Sequence, residues 1–423
     1  YSTCYLFTMK LNSDITIEHA QSALDLTSEI LDETGPRLTG TESCKKAGKL
    51  LKLNLDKFCD QIFSEKFQCS RDAFLYHIRY FSISYVLAFI FLCMGRQWSY
   101  VAAVVTIFGC LIVLFEFVFY FEFIDPLFKK TLGYNISGII EPENKPNQQV
   151  IISGHYDSPY VFNFLNKHQR FYKYRIALNS ILYLLITCAS LLFSYLQYFN
   201  FNEAQLNLNL LIILGIGVFC IGQYFFFVSG EVSPGAGDNL ISACMVVNLS
   251  ELFYNIRSKG SALKHTRLVF LCPDAEESGL RGAREYVKQH GQSLKSIPTF
   301  NINMDSIYRL QDLRFLKSEL NGSVSLDVDL REKCNQIAQD LGYEISSMKM
   351  PFGGGSTDAA EFAKAGIPAL SIIGLDTTFS NGLVPYHTSF DTVDKIEPEA
   401  VLACMQIVEQ FILEIDKSKV EDA

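Results

Sequence analysis

His155, Asp238, the adjacent pair Glu276 and Glu277, Asp305 and His387 are imidazoles and carboxylates set in separate short motifs along a chain of 423 residues. Neutral imidazole nitrogen and carboxylate oxygen are the donors that divalent metals take. Two histidines and three acids can hold a pair of such ions, and a further acid beside them can handle protons. The set therefore reads as the centre of a metal-dependent hydrolase. Singly, each residue argues little, because a lone histidine after a strand is mostly structural and paired glutamates mostly face water. Their joint occurrence reverses that. The contexts are Gly154-His155-Tyr156-Asp157, Gly235-Ala236-Gly237-Asp238-Asn239, Glu276-Glu277-Ser278-Gly279-Leu280-Arg281-Gly282, Asn303-Met304-Asp305 and Tyr386-His387-Thr388-Ser389-Phe390-Asp391-Thr392.

Positioning these groups requires a scaffold, and its pattern is legible. Short apolar runs at 149–153, 267–272, 299–303 and 369–373 read as strands. Helical stretches at 239–255, 279–290, 329–341, 358–365 and 398–415 lie between and after them, and 15–33 and 44–58 read as helices around a Gly35-Pro36-Arg37-Leu38-Thr39-Gly40 turn. Such alternation predicts an α/β fold with a largely parallel sheet covered on both faces. His155, Glu276 with Glu277, Asp305 and His387 each follow one of the strands. Ligands of open α/β sheets collect beyond the carboxyl ends of strands, so the four ends are expected to share one crevice. Ser356 lacks a G-x-S-x-G frame and no HExxH helix occurs, which argues against a serine nucleophile and against that zinc motif.

The apolar residues, 49% of the chain with 34 Phe, are concentrated locally. Four uncharged runs, 81–95, 98–115, 176–199 and 208–228, approach the roughly 20 residues that a helix needs to cross a bilayer core of about 30 Å. They come as two hairpins, so the flanking segments return to one side and can fold together. The expected division is a catalytic body at 1–78, 125–172 and 230–423, with hairpins at 79–124 and 173–229. Arg71, Arg79, Lys129, Lys130, Lys167, Arg170, Lys173 and Arg175 flank the hairpins on the body side, against Arg96 on the other, and the 200–207 connector has no base. The positive-inside rule then places the body of a multi-pass protein in the cytoplasm. Glu116 is expected at the interface beside Glu122, and the sequons at Asn135, Asn248 and Asn321 are read as chance. The net charge of −9 without a basic run argues against nucleic acid. Twelve scattered cysteines without framework spacing suggest a reducing compartment. No cleavable leader is evident, and Met9 is a candidate start.

With these motifs in this order, the chain resembles the M28 family of zinc aminopeptidases. The likeness covers Gly35 to Thr41 and nearly everything from about residue 133 onward, leaving out the hairpins. It implies a three-layer α/β sandwich with a mixed, mainly parallel sheet, here interrupted by four transmembrane helices. It also implies two Zn2+ ions, although cobalt or manganese suits the same donors. One would be held by His155, Asp305 and Asp238, the other by Glu277, His387 and the shared Asp238. Glu276 would be the general base, facing water while Glu277 faces metal, since neighbours in extended backbone point opposite ways. Asp157 would accept the other N–H of His155; Asp391 would do the same for His387 or cap the next segment. Gly353 to Asp358 resembles the loop bordering the substrate pocket, and Tyr308 and Tyr386 are candidates for stabilising an oxyanion. The implied activity is hydrolysis of N-terminal peptide bonds, by an aminopeptidase or a dipeptidase. Glutaminyl cyclase, which shares the fold, is the alternative, because Gly154-His155-Tyr156-Asp157-Ser158-Pro159-Tyr160 is similar to its stretch, although its Trp before the last histidine is absent here. A metal-free receptor is the remaining reading. Oligomeric state is left open.

Overall fold

The computed structural model describes residues 13–200, 208–260, 263–377 and 384–421. Met9 and the connector from 201 to 207 lie outside the described residues. Helices α1 (Ile17–Thr34) and α2 (Glu42–Leu55) lead into β1 (Gln61–Cys69). The first apolar pair forms α3 (Ala73–Cys93) and α4 (Ser99–Ile112), and β2 (Thr131–Ile140), β3 (Gln148–Ser153) and β4 (Tyr160–Phe162) follow. After α5 (Asn163–His168), the second pair forms α6 (Tyr172–Tyr198) and α7 (Leu208–Gly222), and β5 (Val228–Val232) returns to the body. Then come α8 (Ile241–Ser258), β6 (Thr266–Cys272), α9 (Arg281–Leu294), β7 (Thr299–Ile307), β8 (Arg314–Glu319) and β9 (Val324–Ser325). The chain closes with α10 (Val328–Leu341), β10 (Ser346–Lys349), α11 (Ala359–Lys364), β11 (Ala369–Gly374) and α12 (Pro398–Glu421).

Among the described residues the main sheet has nine strands, ordered β1-β2-β6-β3-β7-β11-β8-β10 with β9 on β8. Its centre, β6-β3-β7-β11, is parallel, and those are the four apolar runs of the sequence. Antiparallel pairings flank the centre, β1 and β2 on one side, β8 with β11 and β9 on the other, so the sheet is mixed with a parallel heart. Strand alternation divides the apolar residues between two cores. Val150, Ile152, Leu268, Phe270, Ile302 and Leu370 face α1, α2, α8, α10 and α12, while Ile151, Val269, Leu271 and Ile373 face α9 and α11. This is the expected three-layer sandwich.

Among the described residues, four helices are long and apolar enough to cross a membrane: Ala73–Cys93, Arg96–Val118, Gln169–Tyr198 and Leu208–Phe226. The first begins well before the apolar run, because Arg79 and His77 sit within the helix without ending it. The four pack into one bundle around Tyr85, Leu92, Tyr183, Ile186, Leu214 and Ile221. Two glycines make notches for tyrosine hydroxyls: a Cβ on Gly109 would lie 1.9 Å from Tyr183 Oη, and one on Gly217 2.0 Å from Tyr85 Oη. The hydroxyls are then satisfied inside the bundle, Tyr85 donating to Leu214 O at 3.0 Å and Tyr183 lying 2.8 Å from Ser84 Oγ. Outward, Val104, Ile181, Ile216 and Phe219 are exposed.

Both insertions leave the body at the tip of an antiparallel ribbon. Cys69 pairs with Thr131 at the end of β1-β2, and Tyr160 with Val232 in β4-β5. Entry and exit are therefore adjacent in space, the geometry in which a long insertion leaves a domain intact. The structure corrects the expectation for Glu116. It is 0% exposed, in a π-turn at Val113–Val118 that ends hairpin 1 against the body rather than at an interface. Arg281, also buried, donates from Nη2 to Glu116 Oε1 at 2.9 Å and to Asp125 Oδ1 at 2.7 Å. Asn135 and Asn248 of the sequons are buried, as the chance reading requires.

Candidate metal centre

His155 and the two glutamates lie just beyond β3 and β6, Asp305 lies near the end of β7, His387 follows β11 at a distance, and Asp238 precedes α8; the expected side chains come together there. His155 Nε2 lies 3.5 Å from Asp238 Oδ1 and 3.7 Å from both Asp305 Oδ2 and Glu276 Oε2. His387 Nε2 lies 3.3 Å from Asp238 Oδ2 and 3.4 Å from Glu277 Oε2. Asp238 thus presents one oxygen to each histidine. The neighbouring glutamates diverge, Glu276 toward His155 and Glu277 toward His387. Glu276 is nonetheless closer to the ligand set than a distant base would be. Its donor atom and those of His155 and Asp305 fall within 4.8 Å of one another, as do those of His155, Asp238 and Glu277.

Buried hydrogen bonds hold this arrangement. Asp157 lies 3.2 Å from His155 Nδ1 through Oδ1, which also accepts from the Glu276 N–H at 3.1 Å. Its Oδ2 accepts from the Glu277 N–H at 3.3 Å and the Thr39 hydroxyl at 3.1 Å. One carboxylate therefore orients an imidazole and the backbone of both glutamates. Asp391 does not face His387 and caps no following helix. Instead it accepts from the Gly237 and Asp238 N–H groups at 2.8 and 3.1 Å, because the loop after His387 folds back over the Asp238 turn. Asn239 ties that turn to β7, donating to Met304 O at 2.9 Å and accepting from the Ser306 N–H at 3.2 Å. The Arg37 side chain of the N-terminal turn donates to Tyr156 O at 2.8 Å, Pro234 O at 2.9 Å and Gly235 O at 2.7 Å, stapling the His155 and Asp238 loops. Tyr308 lies behind the Asp238 turn, where its ring meets Gly237, whereas the Tyr386 ring lies tilted by 37° against His387 with centroids 4.0 Å apart.

The electrostatics are those of concentrated negative charge out of water. Burial opposes ionisation of Asp238, yet the facing His155 and His387 hold its carboxyl well below the usual range. Burial, reinforced by neighbouring acids, pushes Glu276 and Glu277 well up. Burial likewise raises Asp305 and Asp391 to about 7. Among the described residues, His155 Nε2, Asp238 Oδ2 and Glu277 Oε1 are buried without a hydrogen-bond partner. Orphaned acceptors converging beside imidazoles are costly unless a cation satisfies them, so the donor set fits divalent zinc. Asp358, a 0% exposed carboxylate with both oxygens unpartnered, stands near Glu276 and Asp305. It was visible in the sequence only as the end of the glycine-rich loop. Glu319 fastens that loop, accepting from Ser356 Oγ and the Thr357 N–H, each at 3.0 Å.

Comparison with known proteins bears on the family and the fold. Residues 224–412 match the model of Peptidase family M28, a span that contains Asp238, both glutamates, Asp305 and His387 but not His155. Aminopeptidase YwaD of Bacillus subtilis (strain 168) is 25% identical over 189 residues, 44% of this chain and 39% of that protein. The chain therefore matches less than half the length of this curated relative. A Zn-dependent exopeptidase from Parabacteroides distasonis superposes with a TM-score of 0.54 at 15% identity, covering 93% of this chain and 97% of the other. The glutaminyl cyclase of Bacteroides thetaiotaomicron gives 0.55 at 13%, with coverage of 93% and 97%. At such identities the two structures speak for the fold alone. Over residues 224–412 the chain is thus similar to peptidase family M28, on a fold that it shares with solved zinc exopeptidases and glutaminyl cyclases.

Proposed function

We propose that the chain is a membrane-anchored, dinuclear zinc aminopeptidase. The observation that carries this reading is Asp238, whose two oxygens face the two histidines. His155, Asp305 and Asp238 would hold one ion, and Glu277, His387 and Asp238 the other. Zinc in such a site supplies Lewis acidity, polarising the scissile carbonyl and lowering the pKa of water. Glu276 takes the proton of the attacking water and passes it to the departing amine nitrogen as the peptide C–N bond breaks. Asp157 keeps His155 in the tautomer that presents Nε2 to the cleft. The likeness to glutaminyl cyclases keeps aminoacyl transfer as the competing chemistry. Purified protein is expected to bind two zinc ions and to cleave aminoacyl-anilides rather than cyclise N-terminal glutamine. Glu276→Gln should abolish turnover while zinc content persists; a fully active variant would refute the assignment.

The anchoring reading rests on the four apolar helices and their exposed outer faces. The basic residues on the body side support a cytoplasmic catalytic body. Lysine labelling with a membrane-impermeant reagent tests this in sealed vesicles. Lys129 and Lys130 should react only from the cytoplasmic face.

A further inference from the structure

Hairpin 1 does more than hold the body at a surface. Beyond Val118 its return segment doubles back with Tyr120 in the left-handed region at φ 54 and lies against the catalytic body. Three contacts clamp it there. Arg284 Nη2 donates to Tyr120 O at 2.6 Å, Asn321 Nδ2 donates to Phe117 O at 3.1 Å, and Arg281 pairs with Glu116.

The Tyr120 ring is 3% exposed and packs on Phe74 with centroids 4.7 Å apart, in one cluster with Leu280 and Ala360. Leu280 belongs to the motif that carries Glu276 and Glu277, and Ala360 follows Asp358. The ring thus fills the corner between the glutamate loop and the glycine-rich loop. A Cβ built on Gly355 would come within 3.9 Å of the phenolic oxygen. The charges bearing on that oxygen are Glu276, Glu319, Glu277 and Arg281, and burial pushes the phenol well up, so it keeps its proton. Among the described residues no hydrogen bond engages the hydroxyl. A neutral donor in an acidic corner suits an uncharged acceptor such as a peptide carbonyl and disfavours a free carboxylate.

We propose that Tyr120 is a substrate-contacting residue, donating a hydrogen bond to a backbone carbonyl of a peptide held between these loops, so that hairpin 1 supplies one wall of the pocket. This rests on the peptidase reading of the same site. The test uses the full chain in lipid nanodiscs, zinc-loaded, as wild type, Tyr120→Phe and Tyr120→Ala. KM and kcat are measured on aminoacyl-anilides with small and bulky side chains, and binding of an amino-acid hydroxamate by calorimetry. Losing one hydrogen bond should raise KM and the hydroxamate Kd of Tyr120→Phe about 3- to 10-fold with little change in kcat. Zinc content and unfolding temperature should stay unchanged, and Tyr120→Ala should also shift the preference between small and bulky side chains. Values within about 2-fold of wild type for both variants would overturn the proposal, as would losses that merely follow lost zinc or lost stability. Wild type that binds the hydroxamate but cleaves no anilide would refute the peptidase reading instead, and the Kd comparison would still decide Tyr120.

Discussion

Asp157→Asn isolates the residue that orients most of the centre without being a ligand. The substitution keeps the shape but replaces one acceptor oxygen by a donor NH2. If the NH2 takes the place of Oδ1, it meets the Glu276 N–H and His155 Nδ1, now 3.1 and 3.2 Å away. His155 must then accept at Nδ1 and carry its proton on Nε2, the atom that faces the acids. If the NH2 takes the place of Oδ2, it meets the Glu277 N–H, while the Thr39 hydroxyl can turn its proton to Asp274 and accept from the NH2. Either way one buried backbone N–H is left unsatisfied, at a cost of about 1–3 kcal/mol. Loss of such a supporting partner weakens metal affinity by about 10- to 100-fold, or about 1.4–2.7 kcal/mol. The assay is zinc titration of metal-stripped protein against a competing chelator, followed by rate measurement at saturating zinc. Affinity within about 2-fold of wild type in a folded variant would refute the role assigned to Asp157.

Arg281→Met strands Glu116 and Asp125 as buried charges, so denaturant unfolding should show a loss of about 3–5 kcal/mol, largely recovered on adding Glu116→Gln and Asp125→Asn. Gly109→Ala should lower the thermal midpoint of the membrane bundle by the equivalent of about 1–3 kcal/mol. Tyr183→Phe in the same chain should relieve part of that loss, because the clashing atom is the hydroxyl oxygen. Burial pushes Glu319 up to about 8 from 4.5. The stability it contributes in its protonated form is complete below its unfolded value and is lost as pH rises through the folded one. Thermal midpoints measured from pH 5 to 9 should therefore fall less steeply in Glu319→Gln than in wild type.

The central sheet was legible because strands covered on both faces are continuously apolar: 149–153, 267–272, 299–303 and 369–373 became its four parallel strands. Edge strands carry no such mark. β1, Gln61–Cys69, sets Ile62 beside Phe63 and then runs through Ser64, Glu65 and Lys66, so it lacks the two-residue period of a half-buried strand, and only its pairing with β2 identifies it. The ligands could be read because each sits in a dense local motif after a strand. Their supports could not, because hydrogen-bond partners are set by the tertiary fold. Glu116 is separated from Arg281 by 165 positions, and a carboxylate at the end of an apolar helix looks interfacial until the partner is known. Asp391 was misjudged for the same reason, since nothing near it in sequence identifies the Gly237 and Asp238 amides. Asp358 and Tyr120 owe their positions to loops from distant parts of the chain.

The two ribbons impose an order on biosynthesis. β1 cannot meet β2 until hairpin 1 has left the ribosome, nor β4 meet β5 until hairpin 2 has done so. Asp238, both glutamates, Asp305 and His387 are all translated after the second hairpin. A centre able to hold metal therefore arises only on a chain whose four apolar helices are already made. Under the proposed anchoring, activity would begin only on a chain already able to be held at a membrane.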